Sequence, residues 1–171
     1  KEKRKIGFME RHLRTKALLG EENFLKLKNK TVAVFGVGGV GSYAAESLVR
    51  SGVGNIFIYD SDLVAKSNIN RQLIATDKTV GEKKVEVAKK RYLEINPEVN
   101  ITAVCEFVTP ESSIPFEKFD FIIDAIDCVT AKLFLIENAT NKNIPIISSM
   151  GTGNKLFPEK IKIGDIYKTD L

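Results

Sequence analysis

The stretch TVAVFGVGGVGSYAAESLVR sets Gly36, Gly38 and Gly41 at the G-x-G-x-x-G spacing, between an apolar β-branched run and an amphipathic segment. Such a turn brings backbone N–H groups and a helix N-terminus against a phosphate. A dinucleotide and ATP satisfy these glycines equally well. Asp60 ends the next apolar run, IFIYD, where a strand-end carboxylate accepts hydrogen bonds from ribose hydroxyls. NAD and ATP both carry that ribose, so Asp60 leaves the choice open. The stretch SNINRQ then sets Asn68, Asn70, Arg71 and Gln72 close together. The guanidinium fork suits phosphate oxygens, and the amides add donors. Lys84 follows Gly81 and can reach the same space, although alone it reads as a surface lysine. A dinucleotide pyrophosphate is held by backbone and seldom needs such a cationic set; a triphosphate does. In IIDAIDCV, Asp127 follows an apolar run, placed either to hold Mg²⁺ or to N-cap a helix starting near Val129.

These residues need elements to bring them together. Apolar runs predict strands over Thr31–Phe35 and Ile56–Asp60, and in NITAVCEF, FDFIIDAID and IPIISSM. Helical segments alternate with them: about Gly39 to Arg50, ended by SGVGN, then EKKVEVAKKRYLEI and TAKLFLIENATNKN. In the second, Val85, Ala88, Tyr92 and Ile95 fall on one side. EENFLKLKNK reads as a short amphipathic helix, and the tail from Gly151 as a glycine turn with at most one short strand, KIKIGDI. The polar segment after Asp60 is too long for an ordinary connection, which points to function or disorder. Strands alternating with helices call for a Rossmann-like, doubly wound α/β domain, its mostly parallel sheet covered by helices on both faces. Ligands bind beyond the carboxyl ends of such strands, which directs attention to Phe35–Gly41, Asp60–Asp62, Asp124–Asp127 and Ser148–Gly151.

Composition narrows the class. The 171 residues are 43% hydrophobic and 28% charged, with a formal net charge of +4. No apolar run approaches the ~18 residues of a membrane span, and KEKRKIGFMER lacks the apolar core of a secretory signal. Two cysteines, Cys105 and Cys128, exclude a disulfide framework or a four-cysteine zinc site within this chain. A cytoplasmic protein with reduced thiols is the economical expectation. Lys and Arg are scattered, so charge alone gives little reason to expect nucleic-acid binding. Lys83-Lys84 and Lys89-Lys90-Arg91 read as the solvated face of a helix, Cys105 as a core strand residue, and Cys128 as a small buried thiol starting a helix. His12, the only histidine, reads as a surface residue, and its solitude excludes chemistry built on a histidine pair within this chain.

Taken together, GVGGVG, the strand-end aspartate, NINRQ, VGEKKVE and DAID resemble, in order and spacing, the ThiF/MoeB/HesA superfamily related to ubiquitin-activating enzymes. The resemblance covers nearly the whole chain and implies a carboxylate-adenylating enzyme that uses ATP and Mg²⁺ and releases pyrophosphate. It implies that Gly36, Gly38, Gly39 and Gly41 form the nucleotide loop, that Asp60 holds the ribose, and that Asn68, Arg71 and Lys84 contact phosphates. Asp127 would hold the metal, and Arg14, with Arg11 behind it, would reach into a partner subunit's site, which implies a homodimer. Residues 1–30 would then be a helical segment serving the partner site, and residues 31–171 the adenylation domain.

No C-x-x-C occurs, unlike the usual sulfur-carrier activators of the superfamily. The tail SSMGTGNKLFPEKIKIGDIYKTDL, together with EFVTPE and IDAIDCVTAK, instead resembles the tRNA threonylcarbamoyladenosine dehydratase branch. That resemblance implies a tRNA substrate, whose threonyl carboxylate is activated and closed into a ring, with a possible sulfur-transfer protein partner. Members of the branch run well beyond the position of Leu171, so it also implies that the C-terminal part of the family domain is missing here. The alternatives are adenylation of a Gly-Gly sulfur-carrier tail, an NAD-dependent oxidoreductase, and a nucleotide-binding module without chemistry.

Overall fold

Five apolar runs form strands in the computed structural model, which describes residues 11–153 and 156–168. They are β1 (Thr31–Phe35), β2 (Asn55–Tyr59), β3 (Asn100–Val104), β4 (Phe121–Asp124) and β5 (Ile146–Ser148). All pair in parallel, in the order β3-β2-β1-β4-β5, with Val34 in register with Ile58 on one side and Ile123 on the other. The strand order reverses between β1 and β4, and a crevice opens outside the carboxyl ends at such a switch. The α/β expectation therefore holds, with helices on both faces.

β1 is central and nearly all buried, as its unbroken apolar run requires. Val32 and Val34 turn to one face, under helices α3 (Gly41–Ser51) and α4 (Lys84–Ile95). Ala33 and Phe35 turn to the other, under α5 (Val129–Asn141). Fully burying one such Val, Ile or Phe side chain contributes about 1.5–3 kcal/mol. On the α5 face the core is aromatic: Phe35 stacks on Tyr59 at 4.5 Å, and Phe119 meets Phe57 edge-on at 5.1 Å. Burial pushes the Tyr59 hydroxyl pKa up to about 12, so it stays neutral at working pH. α3 ends on Gly52, whose φ of 96° allows the left-handed C-cap.

The segment after β2 is ordered by packing. Leu63 and Lys83 form an antiparallel bridge, the Val64 N–H donates to Glu82 O at 2.8 Å, and Val64, Ile74 and Ala75 enter the core.

Several expectations are corrected. Two short helices, α1 (Leu13–Leu19) and α2 (Glu21–Lys28), fold back onto the carboxyl end of α3. His12 is therefore not on the surface: it is 1% exposed, its Nδ1 lies 2.9 Å from Arg50 O, and its ring is 5.5 Å from that of Phe24. Desolvation by burial outweighs the Arg50 carbonyl and lowers its pKa. Cys105 lies just past β3 and is exposed rather than core; Cys128, at the start of α5, is half-buried. Lys84 is buried, and Arg91 pairs with Glu46 across to α3, so the charge runs of α4 are not simply a solvated face. No strand forms over 156–168, where two short 3₁₀ turns stand instead. The first ten residues of the expected N-terminal segment lie outside the described residues. No described helix is long and apolar enough to cross a membrane.

Candidate functional site

The turn from Gly36 to Gly41 joins β1 to α3 at the switch between β1 and β4. Two of its glycines are dictated by close approach. A Cβ on Gly36 (φ 86°) would lie 2.7 Å from Ala125 O, and one on Gly41 would lie 1.8 Å from Gly36 O. The turn thus folds on itself and against the loop that follows β4. Gly38 and Gly39 face no packed backbone; the atoms nearest their missing Cβ positions are Gln72 Nε2, at 3.8 Å, and Arg71 Cγ, at 3.6 Å. Among the described residues, the N–H groups of Gly38, Gly39, Val40 and Gly41 have no acceptor. This row of unpaired donors at a helix N-terminus suits an anion.

Asp60, at the end of β2, ties the turn to the sheet. Its Oδ2 accepts from the Val37 N–H at 2.8 Å and its Oδ1 from the Asp62 N–H at 2.9 Å. Each oxygen keeps lone-pair capacity for a hydroxyl. Lys84, 5% exposed, brings its Nζ to 2.6 Å from Asp62 Oδ2 and 4.0 Å from Asp60 Oδ1, while its N–H donates to Asp62 O at 3.0 Å. The surface-lysine reading fails because the Leu63–Lys83 bridge draws the start of α4 against the end of β2.

The segment Asn68–Gln72 arches over the glycine turn. Asn68 is buried, its Oδ1 accepts from the Ala65 N–H at 2.9 Å, and its carbonyl accepts from the N–H groups of Arg71 and Gln72. It builds the arch. Arg71 lies exposed above Gly39, with Nη1 donating to Ser67 O at 3.0 Å and to Asn70 Oδ1 at 3.1 Å. Ser42 Oγ donates to Gly38 O at 2.6 Å and accepts from the Leu73 N–H at 3.3 Å, stitching arch to turn.

Asp127 is exposed in the loop after β4, three residues beyond the strand. The N-cap of α5 is Cys128, with no side-chain cap bond, so Asp127 does not cap. No group of three or more His, Cys, Asp or Glu among the described residues is arranged to hold a metal. Mg²⁺ needs only one or two carboxylates when phosphates complete its shell, and an unpaired Asp127 fits that demand. Arg14 is the residue not brought in. It is exposed on α1, which His12 pins to the carboxyl end of α3, opposite the glycine turn.

Sequence reasoning missed Ser42 and a network beneath the Asp127 loop. Asp124 is fully buried at the end of β4; its Oδ2 accepts from Lys132 Nζ at 2.9 Å and from Ser148 Oγ, and its Oδ1 from the Ile126 N–H. Lys132 also donates to Ser149 O at 2.8 Å, bracing the ends of β4 and β5. The available signal was helical spacing, because Lys132 shares the inner face of α5 with Leu135 and Ala139.

Known proteins resemble this chain in sequence and in fold. The ThiF family matches residues 9–157. The chain is similar to tRNA threonylcarbamoyladenosine dehydratase of Bacillus subtilis (strain 168), at 47% identity over 91% of this chain and 62% of the relative. The enzyme of that name from Escherichia coli (strain K12) is 39% identical over 91% of this chain and 59% of its own length. A solved structure of the E. coli tRNA N6-threonylcarbamoyladenosine dehydratase TcdA in complex with ATP superposes with a TM-score of 0.90 at 38% identity, covering 94% of this chain and 67% of that one. The chain thus spans about three fifths of the length of these curated relatives.

Proposed function

This chain belongs to the ThiF family, and from that premise we propose that it is the ATP-binding, carboxylate-adenylating part of a tRNA threonylcarbamoyladenosine dehydratase. The observation that carries the reading is the row of unpaired turn N–H groups with Asp60, Lys84 and Arg71 beside it, Asp127 lying in the loop after β4 whose Ala125 O packs against Gly36. A relative of the same architecture solved with ATP supports it.

A carboxylate is a poor electrophile. Its oxygen attacks the α-phosphorus of ATP and pyrophosphate leaves; a nitrogen already in the substrate then attacks the acyl carbon and AMP leaves. The net change in the nucleoside is loss of water, and no protein nucleophile is needed. The turn N–H groups and Lys84 lie fixed before the ligand arrives, which is the condition for electrostatic stabilisation without reorganisation. Asp60 receives the ribose, Asn68 holds the arch and contacts phosphates through it, and Arg71 covers the departing charge. Asp127 would hold Mg²⁺, which when bound would supply further neutralisation of phosphate charge. A homodimer in which Arg14 serves the opposite site, a cytoplasmic location and a sulfur-transfer partner belong to the same reading.

The test is mass spectrometry of nucleosides after incubating tRNA carrying threonylcarbamoyladenosine with the protein, ATP and Mg²⁺. The expected result is loss of one water mass, abolished by Arg71→Ala. An unchanged nucleoside, with AMP transferred instead to a Gly-Gly carrier tail, would replace this reading with sulfur-carrier activation.

A further inference from the structure

The nucleotide of the proposed reaction occupies one half of the sheet's carboxyl edge. The glycine turn follows β1 and Asp60 ends β2, so the ends of β4 and β5 are left for the acyl substrate. Those two ends carry the buried ion pair of Asp124 and Lys132, which the chemistry above does not use. All three protons of the Lys132 ammonium are committed: to Asp124 Oδ2 at 2.9 Å, Ser148 Oγ at 3.4 Å and Ser149 O at 2.8 Å. β5 is a three-residue edge strand, and a strand so short holds the chain beyond it weakly. Ser149 is instead tied down by its own N–H, which donates to Asp124 O at 2.8 Å, and by Lys132 on its carbonyl. Asp124 fixes the neighbouring loop as well, since its Oδ1 accepts from the Ile126 N–H at 3.1 Å. An apolar pair could fill this space without the desolvation of two charges. Only directed bonds reaching both strand ends at once can set their spacing.

We propose that Lys132 is a positioning residue for the acyl substrate: through Asp124 and Ser149 it holds the ends of β4 and β5 as one wall, against which the carboxylate to be adenylated is seated. The proposal rests on the dehydratase reading above. Attack on phosphorus needs the carboxylate oxygen aligned and within about 3–3.5 Å, and a misplacement of ~1 Å lowers the rate about 100-fold. With its protons committed beneath the wall, Lys132 acts through Ser149 and the Asp124 turn. Its loss impairs the acyl step and leaves nucleotide binding, on the β1–β2 side, as it was. A residue serving stability alone would behave differently: its loss would weaken every ligand together, and an apolar pair would replace it without effect.

The experiment compares wild type, Lys132→Met and the double variant Asp124→Asn with Lys132→Met. The double variant leaves no uncompensated charge, because Asp124→Asn keeps an acceptor for the Ile126 N–H and a donor toward Ser148 Oγ. Each protein is measured by thermal unfolding, by titration with ATP and Mg²⁺ without tRNA, and by kcat and KM for tRNA carrying threonylcarbamoyladenosine. Lys132→Met alone strands a buried carboxylate and should melt lower. For the double variant we expect an unfolding temperature within a few degrees of wild type, ATP affinity within about twofold, and kcat/KM for the tRNA about tenfold lower. Turnover within about twofold of wild type in that variant would make the pair structural and overturn the proposal, as would ATP affinity that falls in step with turnover. If the double variant does not fold, Ser148→Ala decides, since it removes one bond from each charge and little packing. Positioning then predicts kcat/KM about threefold lower at unchanged ATP affinity, and no change in kcat/KM overturns it. Wild type inactive on this tRNA overturns the dehydratase reading itself, a separate outcome.

Discussion

Lys84 illustrates how one residue of the site is held. A buried ammonium persists only with counter-charge, here supplied by Asp62 at 2.6 Å and Asp60 at 4.0 Å. An incoming triphosphate meets a lysine already fixed in direction, with its positive charge shared rather than spent, since the Asp62 side chain is 64% exposed and free to turn toward water. Lys84→Met should keep the fold but leave two carboxylates uncompensated. We expect a stability loss of about 1–2 kcal/mol and an ATP dissociation constant raised at least tenfold, which is ~1.4 kcal/mol. Chemical denaturation and calorimetric titration read the two effects separately. Retained wild-type ATP affinity would remove Lys84 from the nucleotide site.

At the scale of elements, the glycine turn can be precise only if α3 and α4 keep their relative position. Two polar ties do this beyond apolar packing. The Tyr92 hydroxyl donates to Ser42 O at 2.9 Å, fully buried, and burial holds that phenol neutral. Glu46 on α3 accepts from Arg91 of α4 at 2.6 Å and from Arg50 on its own helix at 2.8 Å. Desolvation pushes the Glu46 pKa up, but the hydrogen bonds from both arginines outweigh it, and the carboxyl sits below its ordinary value of 4.5. A carboxylate depressed in the folded state contributes stability above its unfolded pKa, and that contribution is lost as pH falls through the folded value. Both arginines are partly exposed, at 39% and 57% of their side chains, which screens the pair. Glu46→Gln should therefore lose about 1–2 kcal/mol at pH 7, roughly 2–8 °C in melting temperature. The gap to wild type should close as pH drops below the carboxylate range; a gap independent of pH would mean that packing, not charge, makes the contact.

At the scale of the whole molecule, the crevice and α1 lie at opposite ends of α3. Arg14 therefore works, if the dimer reading holds, only in a symmetric assembly in which each site borrows it from the other copy. An equimolar mixture of Arg14→Ala and Asp127→Asn chains, each inactive alone, should then recover about a quarter of wild-type activity, because half the dimers are mixed and each carries one intact site. A mixture as silent as its parents would remove Arg14 from the partner's site.

The parts of this protein legible in its sequence are those set by local rules. The unbroken β-branched run Thr31–Phe35 reads as a strand buried on both faces, the alternation of such runs with helices calls for a parallel sheet, and glycine spacing marks the turn where Gly36 takes a positive φ. Strand-end positions then locate Asp60 and the Asp127 loop without coordinates, because ligands bind beyond the carboxyl ends of parallel strands. Tertiary structure alone decided which polar residues are buried and whom they meet. His12 finds its partner 38 residues away, Lys84 finds Asp62 22 residues away, and Asp124 is braced by Ser148 24 residues on. The burial of Gln72 belongs to the same class. Local periodicity reports which face of an element is apolar; the solvation of a polar side chain depends on what another part of the chain lays over it.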